Sequence, residues 1–259
     1  MNGKLIFLGT GSSTGVPLIG CQCAVCHSHN PHNQRLRPSA LLQIDQKQFL
    51  IDIGPDFRQQ ALKYGITSLD GMILTHSHHD HVAGLDDVRA LYFKRETPIP
   101  ILLSQETATD IQRRFDYMFF PNPYLQGNRS KLELQILPEK QEIVEFEGLT
   151  IQYVDYEQGR MKVNGFRFGS LAYLTDIKNF KETIYSTMMN VKVLIISALR
   201  TVSSPLHFSI DEAIKFAARI KAQKVWITHI SHDLDHDKIN DTLPEHVRLA
   251  YDGLTIDFG

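Results

Sequence analysis

Thr75-His76-Ser77-His78-His79-Asp80-His81 packs four histidines and an aspartate into seven residues. At the end of a strand, residues two apart point to the same side, which pairs His76 with His78. A turn and the start of a helix then bring Asp80 and His81 back towards that side. One segment thereby supplies two imidazoles to one ion and a carboxylate plus an imidazole to a second. These donors suit zinc, manganese or iron, and two such ions roughly 3.5–4 Å apart clamp the attacking and departing oxygens of a displacement. His79 falls outside the pattern and is expected to face solvent. A second cluster, Cys21-Gln22-Cys23-Ala24-Val25-Cys26, offers three thiolates in six residues. A structural zinc wants four protein ligands; His229-Ile230-Ser231-His232 suggests the fourth, with His27 and His29 as rivals. Three cysteines make no paired disulfide framework, and no thioredoxin-like context surrounds them.

Strands must deliver these donors, and the chain is rich in runs of strand length. Residues 4–9 read as a strand leading into the loop 10–15, and residues 40–44 and 48–53 as a hairpin. Pro55 fits a first helical position, with Gly65 as the stop. Residues 71–75 form a short buried strand that ends on His76. Another strand covers 99–103, with Ser104 capping the helix behind it. Residues 141–147 and 149–155 suggest a hairpin around Gly148, and residues 166–175, 191–196 and 225–228 further strands. Ser209-Ile210-Asp211-Glu212 is a capping box that starts a helix over 211–221. An Asp252-Gly253 turn joins the last two strands. Strands and helices interleave, yet many strands are hairpin-linked. The expected class is α/β (α+β): two mixed sheets with helices outside, in a single domain over 1–259.

Composition narrows the function. The 259 residues carry 27 Lys+Arg against 29 Asp+Glu, a net charge of −2. That balance disfavours wrapping nucleic acid or coating a membrane by bulk charge. With 42% hydrophobic and 22% charged residues the chain is apolar enough for a full core. No apolar run approaches the roughly 20 residues of a membrane span, and the N-terminal stretch is too short for a secretory signal. With reduced cysteines, a cytoplasmic location is expected.

His76-Ser77-His78-His79-Asp80-His81 resembles the signature of the metallo-β-lactamase superfamily. The resemblance implies an αββα sandwich with a dinuclear site at one edge, between the sheets. It implies that Asp176, in Leu174-Thr175-Asp176, bridges both ions, that His229 in Trp226-Ile227-Thr228-His229 binds the second, and that Asp52 braces the ligands from behind. One ligand is missing. The superfamily places a histidine for the first ion seven residues ahead of a glycine matching Gly165, and that place falls on Gln158. No histidine lies between His81 and His207. Gln158, Asp155, Glu157 or a water fills the gap. An amide oxygen is weak, hard and neutral, so the first ion is expected to be held less tightly than the second, with preference moved from zinc towards manganese.

The cysteine loop narrows the resemblance to the PhnP-type phosphodiesterases. It implies that Cys21, Cys23, Cys26 and His232 hold a structural zinc tying the two halves together. It also implies that His207, just ahead of a helix start where anions gather, faces the ions and either contacts phosphate or protonates the leaving alkoxide. Arg200 and Arg89 are candidates for phosphate or for structural ion pairs, and residues 119–124 for a lid. The implied activity is hydrolysis of small or cyclic phosphodiesters by a hydroxide that zinc or manganese activates, with Asp80, Asp176 and His207 as catalytic residues. Alternatives are a lactone or thioester hydrolase, an RNA-processing enzyme, or a non-catalytic metal-binding protein. The expected partners are a small phosphodiester and, beyond it, a second copy of the chain in a homodimer; nucleic acid and membrane are disfavoured.

Overall fold

A computed structural model describes residues 2–92, 95, 97–119, 132–139 and 142–259. The first sheet is built from β1 (Gly3–Gly9), β2 (Ser39–Ile44), β3 (Lys47–Ile51), β4 (Gly71–Ile73), β5 (Ile99–Leu103) and β6 (Leu132–Ile136). The second takes β7 (Ile143–Phe146), β8 (Leu149–Gln158), β9 (Met161–Phe168), β10 (Leu171–Leu174), β11 (Val193–Ser197), β12 (Lys224–Thr228) and β13 (Val247–Leu249). The last strand, β14 (Thr255–Phe258), crosses back to flank β1. Strand order is β14-β1-β2-β3-β4-β5-β6 in one sheet and β13-β12-β11-β10-β9-β8-β7 in the other. Both sheets are mixed: antiparallel hairpins on one side, and parallel β3–β6 and β10–β13 on the other.

Three apolar layers account for the sandwich. Phe7, Leu42, Phe49, Phe146, Phe166 and Tyr173 meet between the sheets. Phe57, Ala108 and Ile111, from helices Phe57–Tyr64 and Gln105–Arg114, cover the outer face of the first sheet. Ile184, Ala213 and Phe216 do the same for the second. Strands β4, β5, β10 and β11 are therefore buried on both faces, which is why they read as continuous apolar runs. Strand β8 alternates instead, with Glu157 exposed and Gln158 buried. Because the central strands are parallel, their C-terminal ends collect at one edge, and the candidate ligands follow those ends.

The capping box and the Ser104 cap form as expected: Ser209 and Glu212 bond reciprocally, and Ser104 accepts from the Thr107 amide. Three expectations are corrected. Helix Phe57–Tyr64 begins two residues after Pro55, with Asp56 at its cap, so Pro55 belongs to the preceding turn. Residues 166–175 are two strands, β9 and β10, folded back at Gly169 (φ 58°). The last two strands lie in opposite sheets, so Asp252-Gly253 is no hairpin turn. The Asp252 carboxylate instead accepts from the Thr10 amide and hydroxyl and the Leu36 amide at 2.7–2.8 Å, locking the first loop to the C-terminal segment. Among the described residues no helix is long and apolar enough to cross a membrane. Of the 119–124 segment, Phe119 ends a short helix and residues 120–124 lie outside the described residues.

Candidate functional site

Strand ends present the ligand candidates. Asp52 follows β3, His76 follows β4, Asp176 follows β10, His229 follows β12, and Gln158 closes β8. His78 caps the short helix His79–Val82, which carries Asp80 and His81. That helix is stapled against the first sheet: Ile53 N–H donates to the His81 carbonyl and Gly84 N–H to the Ile53 carbonyl, at 2.8 and 2.9 Å. The approach is so close that a Cβ on Gly54 would stand 2.2 Å from the Asp80 carbonyl oxygen. Glycine is what that contact permits. Asp52, Asp176 and His229 all take left-handed backbone angles, with φ of 59°, 53° and 58°. Such angles are costly away from glycine and persist only where the surrounding structure holds them.

The donor atoms converge. His76 Nε2 and His78 Nδ1 stand 2.9 Å apart. His81 Nε2 lies 3.3 Å from Asp80 Oδ2 and 3.1 Å from Asp176 Oδ2. His229 Nε2 lies 3.3 Å from Asp80 Oδ2 and 3.4 Å from Asp176 Oδ1. Three overlapping sets, Asp80-His81-His229, His76-His81-Asp176 and Asp176-His207-His229, are compact enough to share an ion. Behind them, Asp52 accepts from His81 Nδ1 at 2.7 Å and from the Thr75 amide and hydroxyl at 2.8 Å. That fixes the tautomer of His81 and aims its Nε2 into the cluster. His81 Nε2 and Gln158 Oε1 are buried without a hydrogen-bond partner among the described residues. Buried polar atoms left unpaired beside carboxylates are what a bound cation would satisfy. The residues fit zinc or manganese.

Charge states agree. Burial opposes a charge on His81, but Asp80, Asp52 and Asp176 outweigh it and hold its pKa well above the usual imidazole range. Burial likewise opposes ionisation of Asp176 and Asp80, yet the surrounding imidazoles hold both carboxyls well below their ordinary values. The carboxylates gathered around His81 favour positive charge at the cluster, which a bound divalent ion would supply. His207 is pushed down to about 4 by burial and by His229. It is neutral at pH 7 and stands 3.3 Å from Asp176 Oδ1.

The second cluster also assembles. Cys21, Cys23, Cys26 and His232 lie within reach of one ion, and the group includes neither His27 nor His29. His232 Nδ1 is 3.4 Å from both Cys21 Sγ and Cys23 Sγ. The Cys26 amide donates to Cys23 Sγ; that bond and His232 draw the Cys23 pKa down to about 6. Burial pushes Cys26 up to about 11, so an ion would have to displace its proton. His229 and His232, three residues apart, thus serve different groups.

An open cavity of about 610 Å³ leads to the His/Asp cluster. Its wall holds Asp80, Asp176, His207 and His229, as read from the sequence, and exposed His79 at the rim. It also holds Ser13, Arg160, Met161 and Leu206, which sequence reasoning missed. A type II′-like turn at Gly159 (φ 61°) between paired Gln158 and Met161 could have pointed to Arg160, had β8 and β9 been recognised as one hairpin. Arg160 is exposed and has no ion-pair partner among the described residues. Arg200 pairs with Asp233 at 3.7 Å and Arg89 with Asp86, and neither lines the cavity. Asp155 and exposed Glu157 also lie outside it, whereas Gln158 lines it.

Comparison with known proteins agrees with this geometry. The model of the Beta-lactamase superfamily domain matches residues 47–230. The crystal structure of a diphosphatase from the PhnP family superposes with a TM-score of 0.92 at 39% identity, covering 100% of this chain and 98% of that one. Zinc-bound PqqB from Methylobacterium extorquens shares the fold, with a TM-score of 0.78 at 18% identity over 98% of this chain and 100% of that one. An octanoyltransferase from Porphyromonas gingivalis is 37% identical over 254 residues, 97% of this chain and 51% of that protein. The chain thus spans about half the length of that curated relative. Matched by the family model over most of its length and by a PhnP-family structure over all of it, the chain belongs to the metallo-β-lactamase superfamily and is PhnP-like within it.

Proposed function

We propose that the chain is a metal-dependent hydrolase of phosphorus–oxygen linkages, acting on small or cyclic phosphodiesters or on a diphosphate bridge. The observation that carries this reading is the convergence of Asp80, Asp176 and His229, from three separate segments, in the wall of one open cavity beside His207, with His81 buried against them. The PhnP-family diphosphatase at 39% identity supports a phosphorus centre over a carbonyl one. His76, His78, Asp80, His81, Asp176 and His229 would hold one or two zinc or manganese ions. Bound there, such ions would ready a water for attack at neutral pH and draw charge from the phosphoryl oxygens. The residues do the rest. Asp80 and Asp176, ionised and facing the cavity floor, accept hydrogen bonds from the attacking water and orient it. Neutral His207 donates one N–H to a phosphoryl oxygen; an arriving anion raises its pKa and equips it to protonate the departing oxygen. Arg160, a permanent cation at the rim, gathers the anionic substrate. Met161 and Leu206 give an apolar wall for the organic part.

Hydrolysis of an acyl substrate is the second reading, favoured by the name of the octanoyltransferase, half of which lies outside the match. Turnover assays separate the two. With added manganese or zinc, a chromogenic phosphodiester or a diphosphate ester should be hydrolysed, and a thioester and a lactone left intact. The opposite pattern would replace the phosphorus reading with the acyl one.

A further inference from the structure

We propose that Gln158 divides the site into one retained ion and one exchangeable ion: its amide nitrogen holds Asp176, and its carbonyl oxygen is all it offers to the ion shared with His76 and His78. The proposal rests on the metal-dependent reading above. Gln158 is placed by backbone geometry. The inward phase of β8 and the tight turn at Gly159 set its side chain on the buried face, where it is 6% exposed.

Its two ends are then assigned by chemistry. Asp176 Oδ1 is a carboxylate oxygen that only accepts, so the amide must turn Nε2 towards it, at 2.7 Å. The same Nε2 lies 3.1 Å from His207 Nε2 and 3.2 Å from His207 Nδ1. Oε1 is left buried with no hydrogen-bond partner among the described residues. A buried carbonyl in that state is destabilised unless something electropositive meets it.

The two sides of the site are unequal in consequence. Asp80, His81 and His229 surround one place with a carboxylate and two imidazoles, and Asp176 adds a second carboxylate. The other place has His76 Nε2, 2.9 Å from His78 Nδ1, and shares His81 and Asp176 with the first, Asp176 being already bonded to the Gln158 amide; the one donor Gln158 could add there is its neutral amide oxygen. An amide oxygen is a poorer donor than imidazole towards zinc and adds no charge. The ion beside His76 and His78 therefore exchanges readily, and the anionic substrate supplies the oxygen that retains it. While that ion is away, the amide keeps Asp176 in place for the ion that stays.

The full chain, loaded with zinc and dialysed against metal-free buffer, tests this by counting zinc by mass spectrometry. Cobalt loading marks the cysteine-held ion separately, through thiolate charge-transfer absorption. Two ions are expected to stay, one on the cysteines and one at Asp80, His81 and His229, while a third washes out. Gln158→His should retain all three, with affinity for the third raised about ten- to a hundredfold. A wild-type chain that keeps three ions overturns the proposal, as does a folded Gln158→His protein that still loses its third. If that variant does not fold, titration of the wild type with manganese, read by the resonance of the free ion, decides. Sites differing at least tenfold in affinity support the proposal, and equal sites overturn it. A wild type that keeps only the cysteine-held ion overturns the metal-dependent reading and this proposal with it.

Discussion

His229 and His232 stand three residues apart, yet the two ligand groups they serve are built in opposite ways. The cysteine group is local. One loop supplies three sulfurs, backbone amides of Leu18, Cys23 and Cys26 point at those sulfurs, and a single histidine comes from elsewhere. It is half-exposed, and four protein donors close it, as a structural zinc requires. The His/Asp cluster gathers strand ends from both sheets, buries its donors, holds three residues in left-handed backbone conformations and opens on a cavity. A closed set of soft donors steadies a fold, whereas a strained, buried and open set of mixed donors does chemistry.

Substitutions should pull the two roles apart. Asp80→Asn removes a carboxylate from the cavity floor and should lower kcat for a phosphodiester about a thousandfold, with the melting temperature nearly unchanged. A large loss of stability with activity retained would reverse the assignment of roles. Cys26→Ser should do the converse: about 3 kcal/mol of stability lost, a drop in Tm on the order of 10 °C, and near-normal turnover at low temperature. Asp52→Asn tests the brace behind His81. It touches no cavity surface, but should weaken metal binding at the His/Asp cluster about ten- to a hundredfold while leaving the cysteine-held ion alone. Arg160→Ala should raise KM about tenfold, roughly 1.4 kcal/mol, with little change in kcat.

The smallest effect concerns His236, outside both groups. Burial, then Arg35 at 3.1 Å and His32, push its pKa down to about 4. The unfolded chain binds that proton near pH 6.5, so His236 contributes stability above pH 6.5 that is lost as pH falls towards 4. His236→Asn should flatten that decline by about 1 kcal/mol in denaturant melts across this window.

Much of this was legible in the sequence because it is local. The spacing of His76, His78, Asp80 and His81 sets one side of a strand end and the start of a helix, and the Ser209–Glu212 box is complete within four residues. The thiolates fall in one loop. What the sequence hid is set by tertiary geometry. The β8–β9 hairpin escaped notice because Gly159-Arg160 carries a weak turn signal inside a polar stretch, and Arg160 was lost with it. The apolar run of β9 into β10 masked the reversal at Gly169. The two final strands looked like a hairpin because nothing in Asp252-Gly253 reveals that β14 must return to β1. Arg200 was open to phosphate or to an ion pair, and only the fold brings Asp233 beside it and decides for the pair.

Anomalous diffraction from crystals of the zinc-loaded chain, collected on either side of the zinc absorption edge, locates the ions directly. Peaks are expected at two separate places, one among Cys21, Cys23, Cys26 and His232 and one between Asp80, His81, Asp176 and His229. A map with density at the thiolates and none beside Asp176 would leave the protein without the reactive centre proposed for it.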